Sequence, residues 1–201
     1  IMSSYFYNVS LPLQKITEDR QNTLTPKLNI RFNPHEMKNH ANTGRRIDIG
    51  NVFSSSRLDM GDSYEAGESF TLGLDFNKKK VNQVSKVVEI DSVSIDYENL
   101  TDYEIEKKLK GASDFKKEIV EEIEEYFDFK LATVFRFNKE ENIPIKSTLN
   151  EKSSNVFGIV NYKPIKDLKL TYEFSLTNDF NTIEYNSIAA KYTSDHFSTE
   201  F

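Results

Sequence analysis

The sequence contains no cysteine, few glycines and no long apolar run, and each absence excludes a class of protein. Without cysteine there is neither a disulfide framework nor a thiolate metal site. No segment approaches the roughly 18–20 consecutive apolar residues of a membrane-spanning helix, which excludes a helical membrane protein. The seven glycines are scattered and form no P-loop, GxGxxG or GxSxG motif. We therefore expect no enzyme and no cofactor.

The net charge and the mean hydropathy disfavour further classes of protein. The formal net charge is −6, which argues against nucleic acid as the main partner because phosphate binding needs a positive field. Only 37% of the residues are hydrophobic and the mean hydropathy is −0.59, low for a protein with a large buried core. A barrel with a polar lumen tolerates this composition, because only one residue in two must be apolar. A soluble β-protein with long polar loops is the alternative.

The clearest pattern in the chain is an alternation between residues 168 and 177. Leucine, tyrosine and phenylalanine occupy every second position, and every residue between them is lysine, threonine, glutamate or serine. This period of two fits a strand and not a helix. Similar alternations predict strands near residues 5–13 (with a break or edge at Pro12), 24–33, 69–78, 126–137, 155–163, 168–177, 183–193 and 196–201.

The lengths of these strands and of their connections suggest an architecture. Strands of about 10 residues, joined by alternately short and long connections, are typical of an antiparallel up-and-down meander in an outer-membrane barrel. The sequence thus predicts an all-β fold in which residues 1–201 form part of one β-barrel domain. Both ends of the sequence fall in mid-pattern, so we expect a fragment of a longer protein, and a missing targeting signal says nothing about compartment.

Residues 79–125 differ from the rest and are predicted to be a charged, partly helical insertion at a periplasmic turn. Thr101 to Glu104 fits a capping box. Ser113 or Asp114 can cap a second helix, whose apolar residues recur at helical spacing: Phe115, Ile119, Ile123 and Tyr126. A hairpin arm over Val84 to Tyr97 is an alternative for part of this segment.

The candidate metal and acid–base motifs are weak. His35 and His40 imitate the HExxH zinc motif, but the second histidine follows at i+5, so on a helix the two imidazoles cannot share one metal. His196 stands alone in a turn. Glutamate pairs such as Glu121-Glu122 are more typical of a solvated charged face. We expect no metal site and no catalytic site.

The alternation assigns candidate residues to the two faces of the predicted barrel wall. Seven polar residues are predicted to face the lumen, where cations could meet the anionic groups of a solute or a lipid head group: Lys27, Asn29, Arg31, Asp75, Lys130, Arg136 and Glu173. Alternatively, the basic members pair with Asp75, Asp128 and Glu173. Eight residues are predicted to face lipid: Phe70, Leu72, Leu74, Phe129, Leu131, Leu170, Tyr172 and Phe174.

Several stretches resemble the lipopolysaccharide-assembly outer-membrane family LptD, in its alphaproteobacterial form. They are the LTPKL-x-I-R strand in 24–34, the N-x-F…R-L loop in 51–58, the EAG-x-S-x-TLGLD strand in 65–76, and residues 177–187. The motifs occur in the order and spacing of the family, and the resemblance covers about three-quarters of the chain. The insertion 79–125 departs from the family pattern.

The resemblance implies a function and partners. It implies a barrel in the outer membrane of a Gram-negative cell that receives lipopolysaccharide from a periplasmic Lpt bridge and releases it into the outer leaflet, with an LptE-like lipoprotein plugged inside. It implies no cofactor and no covalent change. The gate residues of the family lie outside the sequence. The alternatives are a soluble or surface β-rich binding protein and another outer-membrane barrel of the porin or receptor type.

Overall fold

The computed structural model describes residues 3–88, 116–194 and 197–201, and this part of the chain is built almost entirely from β-strands. A short 3-10 turn at Ile145–Ser147 lies in one loop, and the described residues contain no α-helix. The nine strands are β1 (Tyr5–Ser10), β2 (Leu13–Ile16), β3 (Arg20–Asn33), β4 (Gly67–Val88), β5 (Lys116–Arg136), β6 (Ser153–Ile165), β7 (Leu168–Leu176), β8 (Ile183–Ser194) and β9 (Phe197–Glu200).

The strands form one antiparallel up-and-down sheet in the order β1-β3-β4-β5-β6-β7-β8-β9, with β2 also paired to β3. The predicted first strand is split in two, because Pro12 between β1 and β2 has no N–H to donate to a sheet. Leu11 still donates to the carbonyl of Pro26, at 3.1 Å. In the described residues the sheet is open, with β1 and β2 on one edge and β9 on the other, and it does not close into a barrel.

In the described part of the chain, long and short connections alternate, as the sequence predicts. Long loops follow β3 and β5, at residues 34–66 and 137–152, and a shorter one follows β7, at 177–182. Tight turns join β2 to β3 at 17–19 and β6 to β7 at 166–167. Because successive strands are antiparallel, the three longer connections leave the sheet at the same end.

The chain divides into two compact units, one of residues 1–80 and 125–201 and one of residues 81–124. In the second unit, Val81–Val88 and Lys116–Glu124 are strand, so the prediction of a helix from Phe115 to Tyr126 is wrong. Ile119 and Ile123 have helical spacing, but with Val120 they are β-branched, and pairing in a sheet satisfies their backbone equally well. The predicted capping box and the hairpin alternative beyond Val88 lie outside the described residues.

The two faces of the sheet have opposite polarity. The register aligns Leu28 with Leu72 and Val160 with Tyr172, so one face carries apolar and aromatic side chains from strands β1 to β8. We call it the apolar face. The opposite face aligns Asn29 with Thr71. We call it the polar face.

The hydrophobic core lies over the polar face, where the two long loops fold across the sheet. We call loops 34–66 and 137–152 together the cap. Its apolar side chains pack on three residues of β5 and β6, Ala132, Val134 and Phe157, and the other members of the core belong to the cap or adjoin it: Met37, Ile47, Val52, Leu58, Met60, Ala66, Ile143 and Leu149. The sheet therefore buries the part of its polar face that lies beneath the cap and leaves its apolar face open.

Candidate functional site

The apolar face is not covered by any described residue of the chain. All eight residues predicted to face lipid lie on it, and none of them is buried. Leu72 of β4 is 45% exposed, and Ile188 of β8 is 78% exposed. A soluble sheet normally packs such a face against a second layer, since burial of apolar area is the main driving force of folding.

Aromatic residues cluster towards the two ends of the apolar face. At the cap end, Phe70 stacks on Phe135 with ring centroids 5.1 Å apart. At the turn end, Phe76 meets Phe127 edge-on at 6.2 Å. The Nζ atom of Lys78 lies 5.4 Å from the centroid of the Phe76 ring. A positive charge therefore lies beside this aromatic pair. Phe70 and Phe76 are six positions apart in β4, a distance of roughly 20 Å along the strand.

A shallow groove of about 390 Å³ opens on this face beside the cap end. Leu28, Ile30 and Phe32 of β3 form one side and Phe70 the other. Exposed Phe137 and three polar residues, Arg31, Glu68 and Ser69, complete the lining. Five of the eight lining residues are apolar, and this composition suits a hydrocarbon chain.

The seven residues predicted to face a lumen all lie on the polar face. Lys27 pairs with Asp75 at 2.5 Å, as the pairing alternative predicted. The Nζ atom of Lys130 lies 3.8 Å from Oδ1 of Asp128. Asn29 is fully buried and donates to the carbonyl of Tyr7 at 3.2 Å. These three polar side chains of the polar face therefore have interaction partners within the same chain.

The other two basic residues of this set, Arg31 and Arg136, meet around a carboxylate of the cap. Arg57 donates two hydrogen bonds to Glu65, from Nε to Oε2 at 2.7 Å and from Nη2 to Oε1 at 2.5 Å. Arg136 donates from Nη1 to Oε1 at 2.6 Å, and the Nε atom of Arg31 lies 3.9 Å from Oε2. We call these four residues the arginine cluster.

The arginine cluster is tied to the strands and the cap by further hydrogen bonds. Arg57 also donates to Thr71 and Ser69 of β4, both at 3.1 Å. Arg31 donates to the carbonyls of Ser54 and Ser55, both at 2.7 Å. Paired acceptor oxygens of this kind match the donors of a planar guanidinium well. The cluster thus fixes the cap on the polar face.

The environment of Glu65 keeps it ionised. Burial acts to raise its pKa, but the charge and hydrogen bonds of Arg57, with the charges of Arg31 and Arg136, outweigh burial and lower the pKa to about 2. Arg57 and Glu65 were not predicted as site residues. Both lie inside the motifs at 51–58 and 65–76 that resemble the LptD family, and this resemblance is the sequence signal that could have identified them.

The histidines of the cap have separate partners. His35 Nε2 lies 3.0 Å from the hydroxyl of Ser3, and His40 Nε2 lies 3.0 Å from Oδ1 of Asp62. The described residues contain no group of three or more histidine, aspartate or glutamate side chains that could hold a metal ion. The backbone N–H of His40 donates to Asn142 at 2.8 Å, which joins the two loops of the cap.

No helix in the described part of the chain is long and apolar enough to cross a membrane. A scan against protein-family models gave no match, and searches of curated proteins and of solved structures found no similar protein.

Proposed function

We propose that this chain is part of an outer-membrane β-barrel of the LptD type, which delivers lipopolysaccharide to the outer leaflet. The observation that carries the proposal is the inverted polarity of the sheet. Apolar residues occupy the open face, whereas Asn29, Arg31 and Arg136 of the opposite face are buried. In water this arrangement would forgo roughly 25 cal/mol for every Å² of apolar surface left uncovered, and in a membrane lipid tails cover that surface.

The dimensions of the sheet support the same environment. A transmembrane strand needs about 9–11 tilted residues, and β3, β6, β7 and β8 have 14, 13, 9 and 12. The aromatic pairs at the two ends of the apolar face resemble the aromatic girdles of outer-membrane barrels. In such a barrel the cap end would face the cell exterior, because short turns face the periplasm.

The choice of LptD among barrels depends on the sequence motifs, and three of them supply Arg31, Arg57 and Glu65 of the arginine cluster. Arg57 and Glu65 come from separate motifs, 51–58 and 65–76, yet they meet through two hydrogen bonds. Lipopolysaccharide, an LptE-like lipoprotein and a periplasmic Lpt bridge are the partners proposed with this function. The polar face would accommodate the head group while the acyl chains pass sideways into lipid.

The first experiment tests the membrane environment by alternate labelling. The chain has no cysteine, so single cysteines can be placed at Leu170, Tyr172 and, as the matched control on the opposite face, Thr171. After labelling with an environment-sensitive dye in phospholipid vesicles, positions 170 and 172 should be quenched by lipid-borne nitroxide and position 171 by aqueous iodide. Equal quenching by iodide at all three, in a protein soluble without detergent, would instead support the soluble binding protein.

The second experiment separates LptD from other barrels. A photoreactive amino acid at Lys130 of the full-length protein in cells should crosslink to lipopolysaccharide when its supply from the inner membrane is intact. The same group at Leu72 is the control for nonspecific contact with the outer leaflet, because it lies on the opposite face. Crosslinks at Leu72 alone would support a porin or receptor.

A further inference from the structure

A carboxylate lies on the apolar face at the cap end of β4. Glu68 is paired directly with Phe32 of β3, so the two side chains emerge on the same face of the sheet. Glu68 is exposed, and within the described ranges its carboxylate takes part in no salt bridge. A charge on an apolar surface becomes costly when that surface is covered, unless the covering molecule brings a partner for it.

Aromatic rings lie around this carboxylate. Phe32 is its cross-strand neighbour, and Phe70 follows Glu68 by two positions on the same face of β4. The backbone N–H of Phe137 donates to the carbonyl of Glu68 at 3.3 Å, and the rings of Phe137 and Phe70 meet edge-on at 6.2 Å. Tyr5 extends the group by stacking on Phe32 at 6.1 Å. Aromatic faces attract cations, and several rings beside one carboxylate are the arrangement that binds an ammonium group.

The same residues line the groove of about 390 Å³, which continues along β3 over Ile30 and Leu28. Its volume falls within the range of about 300–1,000 Å³ that is usual for ligand sites. The two other polar residues of the lining have partners on the opposite face. The side chain of Arg31 is 3% exposed and lies beside Glu65, and the hydroxyl of Ser69 accepts a hydrogen bond from the arginine cluster at 3.1 Å. The groove therefore offers an apolar channel with a negative charge at one end.

We propose that this groove binds a lipid whose head group ends in an ammonium, as in a choline or ethanolamine lipid. The ammonium would lie beside Glu68 and the phenylalanine rings, and a hydrocarbon chain would follow Ile30 and Leu28. The length of apolar channel beyond the carboxylate favours a lipid over a methylated side chain of a protein. The site does not rest on lipopolysaccharide transport, because it requires only that the apolar face be open.

NMR of the unsubstituted full chain, with ¹³C-labelled phenylalanine rings in dodecyl maltoside, tests the site. Titration with dodecyltrimethylammonium should shift the ring signals of Phe32, Phe70 and Phe137 saturably, with nuclear Overhauser effects from the N-methyl protons. Phe76 and Phe127 are the matched control in the same molecule, because Lys78 lies beside their rings and repels the cation. Dodecyl sulfate at equal concentration should give no saturable shift. An equal response to both amphiphiles, or at both ends of the apolar face, would overturn the proposal.

Two substitutions of Glu68 separate recognition of the charge from burial of the hydrocarbon chain. Glu68→Gln should raise the dissociation constant of dodecyltrimethylammonium by about two- to fivefold, as expected for an exposed charge pair. Glu68→Lys should abolish this binding and make the same rings respond to dodecyl sulfate. Glu141→Lys is the control for the change of net charge, since Glu141 is an exposed residue of the cap, and it should leave the selectivity unchanged. Retention of the preference for the cation in Glu68→Lys would show that the proposal is wrong.

The other occupants of the groove give different results. Tetramethylammonium, which has no chain, should bind much more weakly than dodecyltrimethylammonium, because it leaves the channel over Ile30 and Leu28 empty. Equal binding of the two would assign the groove to a methylated side chain of a protein and exclude the lipid. A dimer of the chain that gives no response to either cation would assign the groove to a second copy, and this outcome would also contradict the proposal.

Discussion

Arg136 Nη1 and Glu65 Oε1 are 2.6 Å apart, although 71 residues separate them in the chain. The bond joins the end of β5 to the last part of the 34–66 loop, and Arg136 also donates from Nη2 to the carbonyl of Ala66 at 2.6 Å. The fold of the cap on the sheet is therefore specified by a polar contact as well as by apolar packing.

Replacing Glu65 should destabilise the protein strongly. Glu65→Gln removes the charge that three buried arginines share, and breaking a buried ion pair on one side costs about 3–5 kcal/mol. The free energy of unfolding in denaturant would measure the loss. Glu68→Gln is the matched control, since Glu68 is exposed three residues away, and it should change the stability by less than about 0.5 kcal/mol. Similar losses in both variants would contradict a special role for the cluster.

The low pKa of Glu65 predicts a pH dependence of stability. Its pKa is about 2 in the folded protein and 4.5 in the absence of the fold. A depressed pKa gives stability that is fully present above the unfolded value and is lost as the pH falls through the folded value. The free energy of unfolding should therefore decrease between about pH 4.5 and pH 2. The same titration of Glu65→Gln should have a smaller slope in this interval, and an identical slope would refute the assignment.

Gly158 should not tolerate a side chain. On the apolar face, the ring of Phe174 lies directly over Gly158 of the neighbouring strand, where an added Cβ would collide with it. Gly158→Ala should therefore displace the ring and cost about 1–3 kcal/mol. Adding Phe174→Leu to Gly158→Ala should recover part of the loss. Gly61→Ala is the control, because the space around Gly61 is open, and it should have little effect on the free energy of unfolding.

A charge on the apolar face should be costly only if lipid covers that face. Leu72→Arg in vesicles should reduce the free energy of unfolding by about 2–4 kcal/mol, the cost of arginine near the midplane of a bilayer. Tyr64→Arg is the control in the cap, since Tyr64 is similarly exposed, 48% against 45% for Leu72. If both substitutions have the same small effect, the apolar face is in contact with water.

The sequence predicted the sheet well because alternation is a local signal. Strand β7 could be identified from Leu168 to Leu176, since every second residue is apolar and a tight turn precedes the segment. The failure at the start of β5 has a physical cause. Ile119 and Ile123 satisfy helical spacing within the segment, and the choice of strand depends on pairing in the sheet, which the local pattern does not contain.

The arginine cluster could be predicted only in part. Arg31 and Arg136 were placed on the polar face by alternation, and that face was expected to hold ion pairs. Their partner was not identified, because Glu65 lies in an irregular loop without a period, and its position depends on how some three dozen residues fold back over the sheet. Such contacts are set by tertiary structure rather than by neighbours in sequence.

The separation of Glu65 from Arg136 also constrains the order of folding. The hairpin of β3 and β4 contains Arg57 and Glu65 and can form their two hydrogen bonds by itself, whereas Arg136 becomes available only after β5 has docked beside β4. Contacts between distant residues form late, because the entropy of closing the intervening chain must be overcome first. We therefore expect the cap to be completed last, after the strands beneath it have paired.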